Sequence, residues 1–160
     1  MSSPLISASV AAFISSGLSI TVAGRDERLV PSIAKAVGCR VDADLRQVTV
    51  LLFAEAAEAV CRHIADNGLI AVCFSRPSTS ETVQIKGSDA RLSLATPLDV
   101  ATARSCLDRL SDDLISMRFE RPMLEAVFWR DPADLVALRF TPDGAFAQTP
   151  GPSAGAPIKA

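Results

Sequence analysis

Thr82, Gln84 and Lys86 occupy alternate positions of the segment TVQIKG, and alternate positions of a strand point to one face. A hydroxyl, an amide and an ammonium therefore stand in a row at intervals of roughly 7 Å. Such a row can grip a phosphorylated ligand, or it can be the wetted face of an antiparallel sheet. Just ahead of it, the loop SRPSTSE brings Arg76, Ser78 and Thr79 together. These are donors suited to an anion, in residue types that are also routine in polar turns. Lys35 and Arg40 add cations within otherwise apolar stretches. His63 is the only histidine; it lies in a helical pattern, where packing or solvation is commoner than proton transfer. The chain has no tyrosine, and no side chain stands out as a general acid or base.

The elements that must position these groups belong to a chain of 160 residues, expected to form one domain over 1–148. A Pro- and Gly-containing tail, 149–160, follows without a core of its own. Hydrophobic residues make up 49% and charged residues 21%, with a net charge of −2. That is the balance of an ordinary globular protein. The absence of a basic block argues against nucleic acid as a partner. Cys39, Cys61, Cys73 and Cys106 form no Cys-x-x-Cys pair, which predicts buried free thiols, a reducing cytoplasm and no metal site. The apolar run from Leu5 to Ala23 lacks a positive leading region and is interrupted by serines. It is neither a signal peptide nor a membrane span by pattern, so no membrane partner is expected.

The spacing of Val10, Phe13 and Ile14 predicts a short helix over 7–16. A strand is expected from Ser19 to Val22, and a long extended segment from Leu29 to Val41 bent at Gly38. Val48–Phe53 reads as a further strand. A helix follows in which Ala57, Val60, Cys61 and Ile64 form the apolar stripe, closed by Asn67-Gly68. Leu69–Phe74 is expected to be a strand buried on both faces, and Thr82–Leu94 a long strand passing Gly87. Thr96-Pro97-Leu98-Asp99 has the signature of a helix start, and Val100, Ala103, Leu107, Leu110 and Leu114 repeat at core-facing spacing. Met123–Trp129 fits a helical turn or a strand, and Leu135–Phe140 and Ala145–Gln148 fit a terminal hairpin. The fold class is therefore mainly β with peripheral helices (α+β), built as a small antiparallel barrel.

Taken together, SITVAGRD, LVPSIAKAVGCRV, QVTVLLFAEAAEAVCRHIADNGLIAVCFSRP, TVQIKGSDARL and LVALRFTPDGAFAQ resemble the pyridoxamine 5′-phosphate oxidase-like family of FMN-binding split barrels. The likeness is in the ensemble, from about Phe13 to Gln148. It implies a split β-barrel, a homodimer with a small-molecule ligand at the subunit interface, and FMN as cofactor of an oxidoreductase. Some relatives of the fold hold haem, for which His63 is the only imidazole. The family's phosphate grip uses a basic residue where Lys35 stands, four residues after Pro31. A second basic pair falls on Ala59 and Val60 in this chain and is missing. The resemblance then leaves Lys35, Arg76, Ser78, Thr79, Thr82, Gln84 and Lys86 to meet the cofactor, with the anion near Lys35, Lys86 and the Arg76–Thr82 loop. The alternative is a non-catalytic binding or regulatory module that has lost or changed its flavin site. Phe53, Phe74 and Ile85 are the residues expected near a dimer seam, since apolar patches are rarely left exposed on monomers.

Overall fold

The computed structural model describes residues 5–160, so residues 1–4 of the expected domain lie outside the described residues. Helix α1 (Ala8–Ile14) is capped by the Ser7 hydroxyl, which accepts from the Val10 N–H at 3.3 Å. The strands β1 (Ser19–Arg25), β2 (Pro31–Ala36), β3 (Gly38–Val41) and β4 (Val48–Phe53) follow. Then come α2 (Glu58–Asn67), β5 (Ile70–Ser75), β6 (Thr82–Gly87) and β7 (Arg91–Leu94). Helices α3 (Pro97–Ser116) and α4 (Arg121–Phe128) precede the closing strands β8 (Leu135–Phe140) and β9 (Gly144–Ala147). Every pairing is antiparallel, in two sheets ordered β2-β1-β5-β6-β9 and β3-β4-β8-β7.

Both long extended segments expected from the sequence are divided between the two sheets. The first breaks at Val37, where β2 leaves the first sheet and β3 enters the second. Gly38 makes this corner possible, because a Cβ there would lie 2.8 Å from the Ala103 Cα of α3. The second breaks over 88–90, and Gly68 folds against it with the left-handed φ of 72° that its sequence signal required. Hydrogen bonding cannot follow one sheet around such a corner, so strand pattern alone ran straight through it.

The core lies between the sheets. Ile20, Val22, Val50, Leu52, Ile64, Val72, Phe74, Ile85, Leu138 and Phe140 are at most 1% exposed and form one cluster. Full burial of each aliphatic side chain contributes roughly 1.5–3 kcal/mol. β5 alternates buried and half-buried residues rather than being buried on both faces. Its second face, with Ala71, Cys73 and Ser75, is partly open. Cys39, Cys61 and Cys106 are buried free thiols, whereas Cys73 is half-exposed on that face. Phe74 and Ile85 are enclosed within a single chain, and Phe53 meets Trp129 edge-to-face at 5.7 Å. None of the three needs a second subunit to bury it.

The segment from Met123 is helical, and α4 is tied to α3 by a bidentate Arg104–Glu125 pair with the Arg104 guanidinium 5.1 Å from the Trp129 ring. The expected tail is hydrogen-bonded along β9: the N–H groups of Gly155 and Ile158 donate to the carbonyls of Ala147 and Ala145 at 2.7 and 2.8 Å.

At the start of α3, Asp99 completes a capping box with Thr96 and accepts from Arg40 Nε at 2.9 Å, while only 2% exposed. Burial alone would raise this carboxyl, but the Thr96 N–H and hydroxyl and the Arg40 guanidinium outweigh it and hold it below its ordinary value. A depressed folded-state value stabilises the fold fully above the unfolded value, and the gain is lost as pH falls through the folded one. Asp99→Asn is therefore expected to lower stability by about 1–3 kcal/mol at neutral pH. Urea titrations at falling pH should show the gap to the parent narrowing below about pH 4.

Candidate functional site

Strand register assembles four of the seven candidate residues, Lys35, Thr82, Gln84 and Lys86, on the outer face of the first sheet. Lys35, Thr21, Cys73, Gln84 and Phe146 stand opposite one another in one row across five strands. Ser19, Ser75 and Thr82 form the row on one side, and Ile33, Ala23, Ala71, Lys86 and Gly144 the row on the other. The middle of this face is floored by small side chains, and no carboxylate occurs in the three rows. Hydroxyls gather at one end and the two lysines stand at opposite sides.

Lys35 is held where β2 forms the sheet edge. Its ammonium donates to Ser19 Oγ at 2.8 Å and to Thr21 Oγ1 at 3.1 Å, and among the described residues it has no ion-pair partner. Burial lowers its pKa. An exposed ammonium bonded only to neutral oxygens gains from an anion a charge-assisted hydrogen bond that those oxygens do not supply. Beside it lies a small hollow of about 100 Å³ whose lining includes Lys35, Val37, Phe53, Val127 and Arg130.

Thr82 Oγ1 donates to the Ser80 carbonyl at 3.0 Å, so the 2.9 Å contact between Ser75 and Thr82 is made by the Ser75 proton. Gln84 Nε2 approaches Cys73 Sγ at 3.6 Å. Lys86 faces outward with its ammonium 5.1 Å from the Phe146 ring centroid. It is three strands from Lys35, roughly 14 Å across the sheet.

The other three candidates are not brought to this face. Arg76 follows Ser75, so strand alternation turns it the opposite way, onto α1. There it lies 5.5 Å from the Phe13 ring centroid and donates to Ser16 Oγ at 3.4 Å. Ser78 is anchored to α3, its N–H and hydroxyl both bonded to the Asp113 carboxylate. The Thr79 hydroxyl accepts from the Glu81 N–H at 3.3 Å and shapes the turn. Arg40 belongs to the second sheet and pairs with Asp42 and Asp99. His63, on α2, is 8% exposed, with Nδ1 2.9 Å from Ser32 Oγ, where the helix packs on the β1–β2 hairpin.

Ser19, Thr21 and Ser75 join the face without having been singled out in the sequence. The signal was present as alternation in SITVAGR and IAVCFS, but only register shows that the hydroxyls meet Lys35 and Thr82. Arg130, in the lining of the small hollow, carried no signal beyond its charge.

The chain matches no protein-family model, and no curated protein matches it in sequence. Solved structures do match it across most of its length. HupZ of Group A Streptococcus is 14% identical with a TM-score of 0.56, covering 94% of this chain and 100% of that one. An F420 reductase is 14% identical with a TM-score of 0.53, covering 84% and 93%. A candidate pyridoxamine 5′-phosphate oxidase of Lactobacillus delbrueckii is 10% identical with a TM-score of 0.53, covering 89% and 93%. The chain has the pyridoxamine 5′-phosphate oxidase-like fold. At these identities the likeness concerns fold. Among the described residues no helix is long and apolar enough to cross a membrane.

Proposed function

We propose that this protein is an FMN-binding oxidoreductase whose two sheets are the halves of a split barrel, with the flavin held between two copies of the chain. The observation that carries the reading is the carboxylate-free sheet face, where the Lys35 ammonium is fixed by Ser19 and Thr21 and lacks an anionic partner among the described residues. A flavin phosphate carries nearly two negative charges. Lys35 supplies one charge-assisted hydrogen bond and Arg130, across the small hollow, a second cation. A hollow of about 100 Å³ is too small for a drug-sized ring system, so a second copy would complete the site. Exposed Ile33 and Val127 supply apolar surface beside it. When bound, the flavin supplies hydride transfer, and the protein supplies orientation and hydrogen bonds. Relatives in fold that are named as an F420 reductase and a candidate pyridoxamine phosphate oxidase support this class.

One observation favours a second reading, a non-catalytic module with a lost or altered flavin site. Val60 is 1% exposed within the core, so a cation at that position would disrupt packing, and Ala59 beside it offers no donor. Equilibrium titration separates the two readings. Lys35→Ala should weaken FMN binding by about 1.5–3 kcal/mol and leave riboflavin, which has no phosphate, unchanged. Arg76→Ala is the control, because Arg76 is committed to Phe13 and Ser16. Sedimentation of the FMN complex should give a dimer. Absence of FMN binding by the unmodified protein at high micromolar concentration would favour the module.

A further inference from the structure

We infer that the protein has a second ligand site, for a small aromatic acid that also carries a hydrogen-bond donor, at the opposite end of the same sheet face from Lys35. A hollow of about 450 Å³ opens there, between the end of β1, the start of β5 and the end of β6. Its floor is apolar and flat, with Ala23 and Ala71 opposite one another in register. Small side chains leave the backbone accessible to a planar body, which a floor of leucines or phenylalanines would not.

Two cations line the hollow on either side of this floor, Arg25 on β1 and Lys86 on β6, the Lys86 ammonium lying 5.1 Å from the Phe146 ring centroid. Arg25 continues the outward-facing series of β1, and Lys86 stands opposite Ala71 on β6. Neither makes an ion pair among the described residues. Arg25 donates one Nη1–H to the Asp26 carbonyl at 3.1 Å, leaving most of its donor fork to the solvent side. Asp143 stands on the rim, where its N–H donates to the Lys86 carbonyl at 2.9 Å and ties the β8–β9 turn to β6. Asp143 is exposed and lines the same hollow as the two cations, without an ion pair to either among the described residues.

That arrangement defines the ligand's chemistry. An anionic group meets Arg25 on the β1 side, a planar apolar body covers Ala23 and Ala71, and a hydroxyl or amine at the far end donates to Asp143, which stands beside Lys86 on the β6 side. A bare inorganic anion would use the cations and leave the floor wet and the carboxylate repelling it. The volume lies within the roughly 300–1,000 Å³ common for small-molecule sites. A short acid fits without a partner subunit.

The test is a titration of the ¹⁵N-labelled protein with 4-hydroxybenzoate, benzoate and inorganic phosphate, followed by amide shifts. 4-Hydroxybenzoate should give saturable shifts at Gly24, Ala71 and Gly87 in the millimolar range, and bind more tightly than benzoate. Arg25→Gln should weaken it about tenfold, the loss of one charge-assisted hydrogen bond, and Lys86→Gln by a smaller factor of about two, the loss of a solvent-screened attraction. Asp143→Ala should abolish the preference over benzoate. These are surface changes, and unchanged melting temperatures would show that the fold is intact. Three results would each overturn the assignment: no saturable shift at these amides, equal affinity for phosphate, or indifference to all three substitutions. No flavin enters the titration, so its failure leaves the reading of Lys35 standing, and failure of FMN binding leaves this one.

Discussion

Phe140→Ala is expected to destabilise the protein by about 3–5 kcal/mol. Phe140 is 1% exposed at the end of β8, opposite Val48 in the second sheet. Its ring reaches across to the first sheet and lies against Gly87, where an added Cβ would be 2.5 Å from Phe140 Cδ2. The side chain thus fills the junction at which β6 ends and the chain crosses toward β7. Alanine would remove the transfer energy of the ring and leave a void bounded by two sheets that hydrogen bonding holds in place, so collapse is restricted. At roughly 2–4 °C per kcal/mol for a chain of this size, the melting temperature should fall by about 6–20 °C. Urea unfolding should show the same loss as a lower midpoint with an unchanged slope. A loss below about 1 kcal/mol would mean that the sheets do not depend on this contact.

The same junction explains how much of the fold was legible in the sequence. Segments whose signals are local were readable to within a few residues. The capping box at Thr96–Asp99, the left-handed stop at Gly68 and the apolar stripe of α2 all depend on neighbours within one or two turns. The two corner strands were not readable in this way. Leu29–Val41 and Thr82–Leu94 look continuous because their residues favour extended backbone on both sides of the bend. What divides them is tertiary: Ala103 pressing on Gly38, and Phe140 filling the space beside Gly87. The pairing of residues 155–158 with β9 was hidden for a related reason, since backbone hydrogen bonds ask little of side-chain identity.

For the candidate site, the division is sharper. Period-two alternation in TVQIKG was sufficient to place Thr82, Gln84 and Lys86 on one face, and register then brought Lys35 to the same face. Alternation also applies to Arg76, one residue beyond Ser75, and it sends that cation to the other side. Proximity in sequence suggests a single anion-binding loop over Arg76–Thr82. The structure divides it, because Asp113 on α3 holds Ser78 and α1 takes Arg76. Neither partner is within 30 residues of the loop, so no window along the chain could reveal the competition. The expected convergence of Lys35 and Lys86 meets a similar limit. Strand order β2-β1-β5-β6 separates them by three strands, and order is not a property of either strand alone.

Leu107→Ala should cost about 2–5 kcal/mol, and the packing of α3 argues for the upper part of that range. Leu107 is 1% exposed on the stripe that also buries Ala103, Cys106 and Leu110. The helix already lies as close to β3 as the backbone allows: Gly38 has no Cβ to intervene, and Cys106 Sγ approaches the Cys39 carbonyl at 3.7 Å. A helix held at its closest approach cannot move inward to fill a new cavity, so little of the lost volume is recovered. Leu107→Met, which nearly conserves volume, should cost less than about 1.5 kcal/mol. Leu107 is not among the residues of the sheet face or of either hollow beside it. Molecules that remain folded should therefore bind FMN and 4-hydroxybenzoate as the parent does. Weaker binding at an unchanged melting temperature would contradict this assignment and connect α3 to the ligand face.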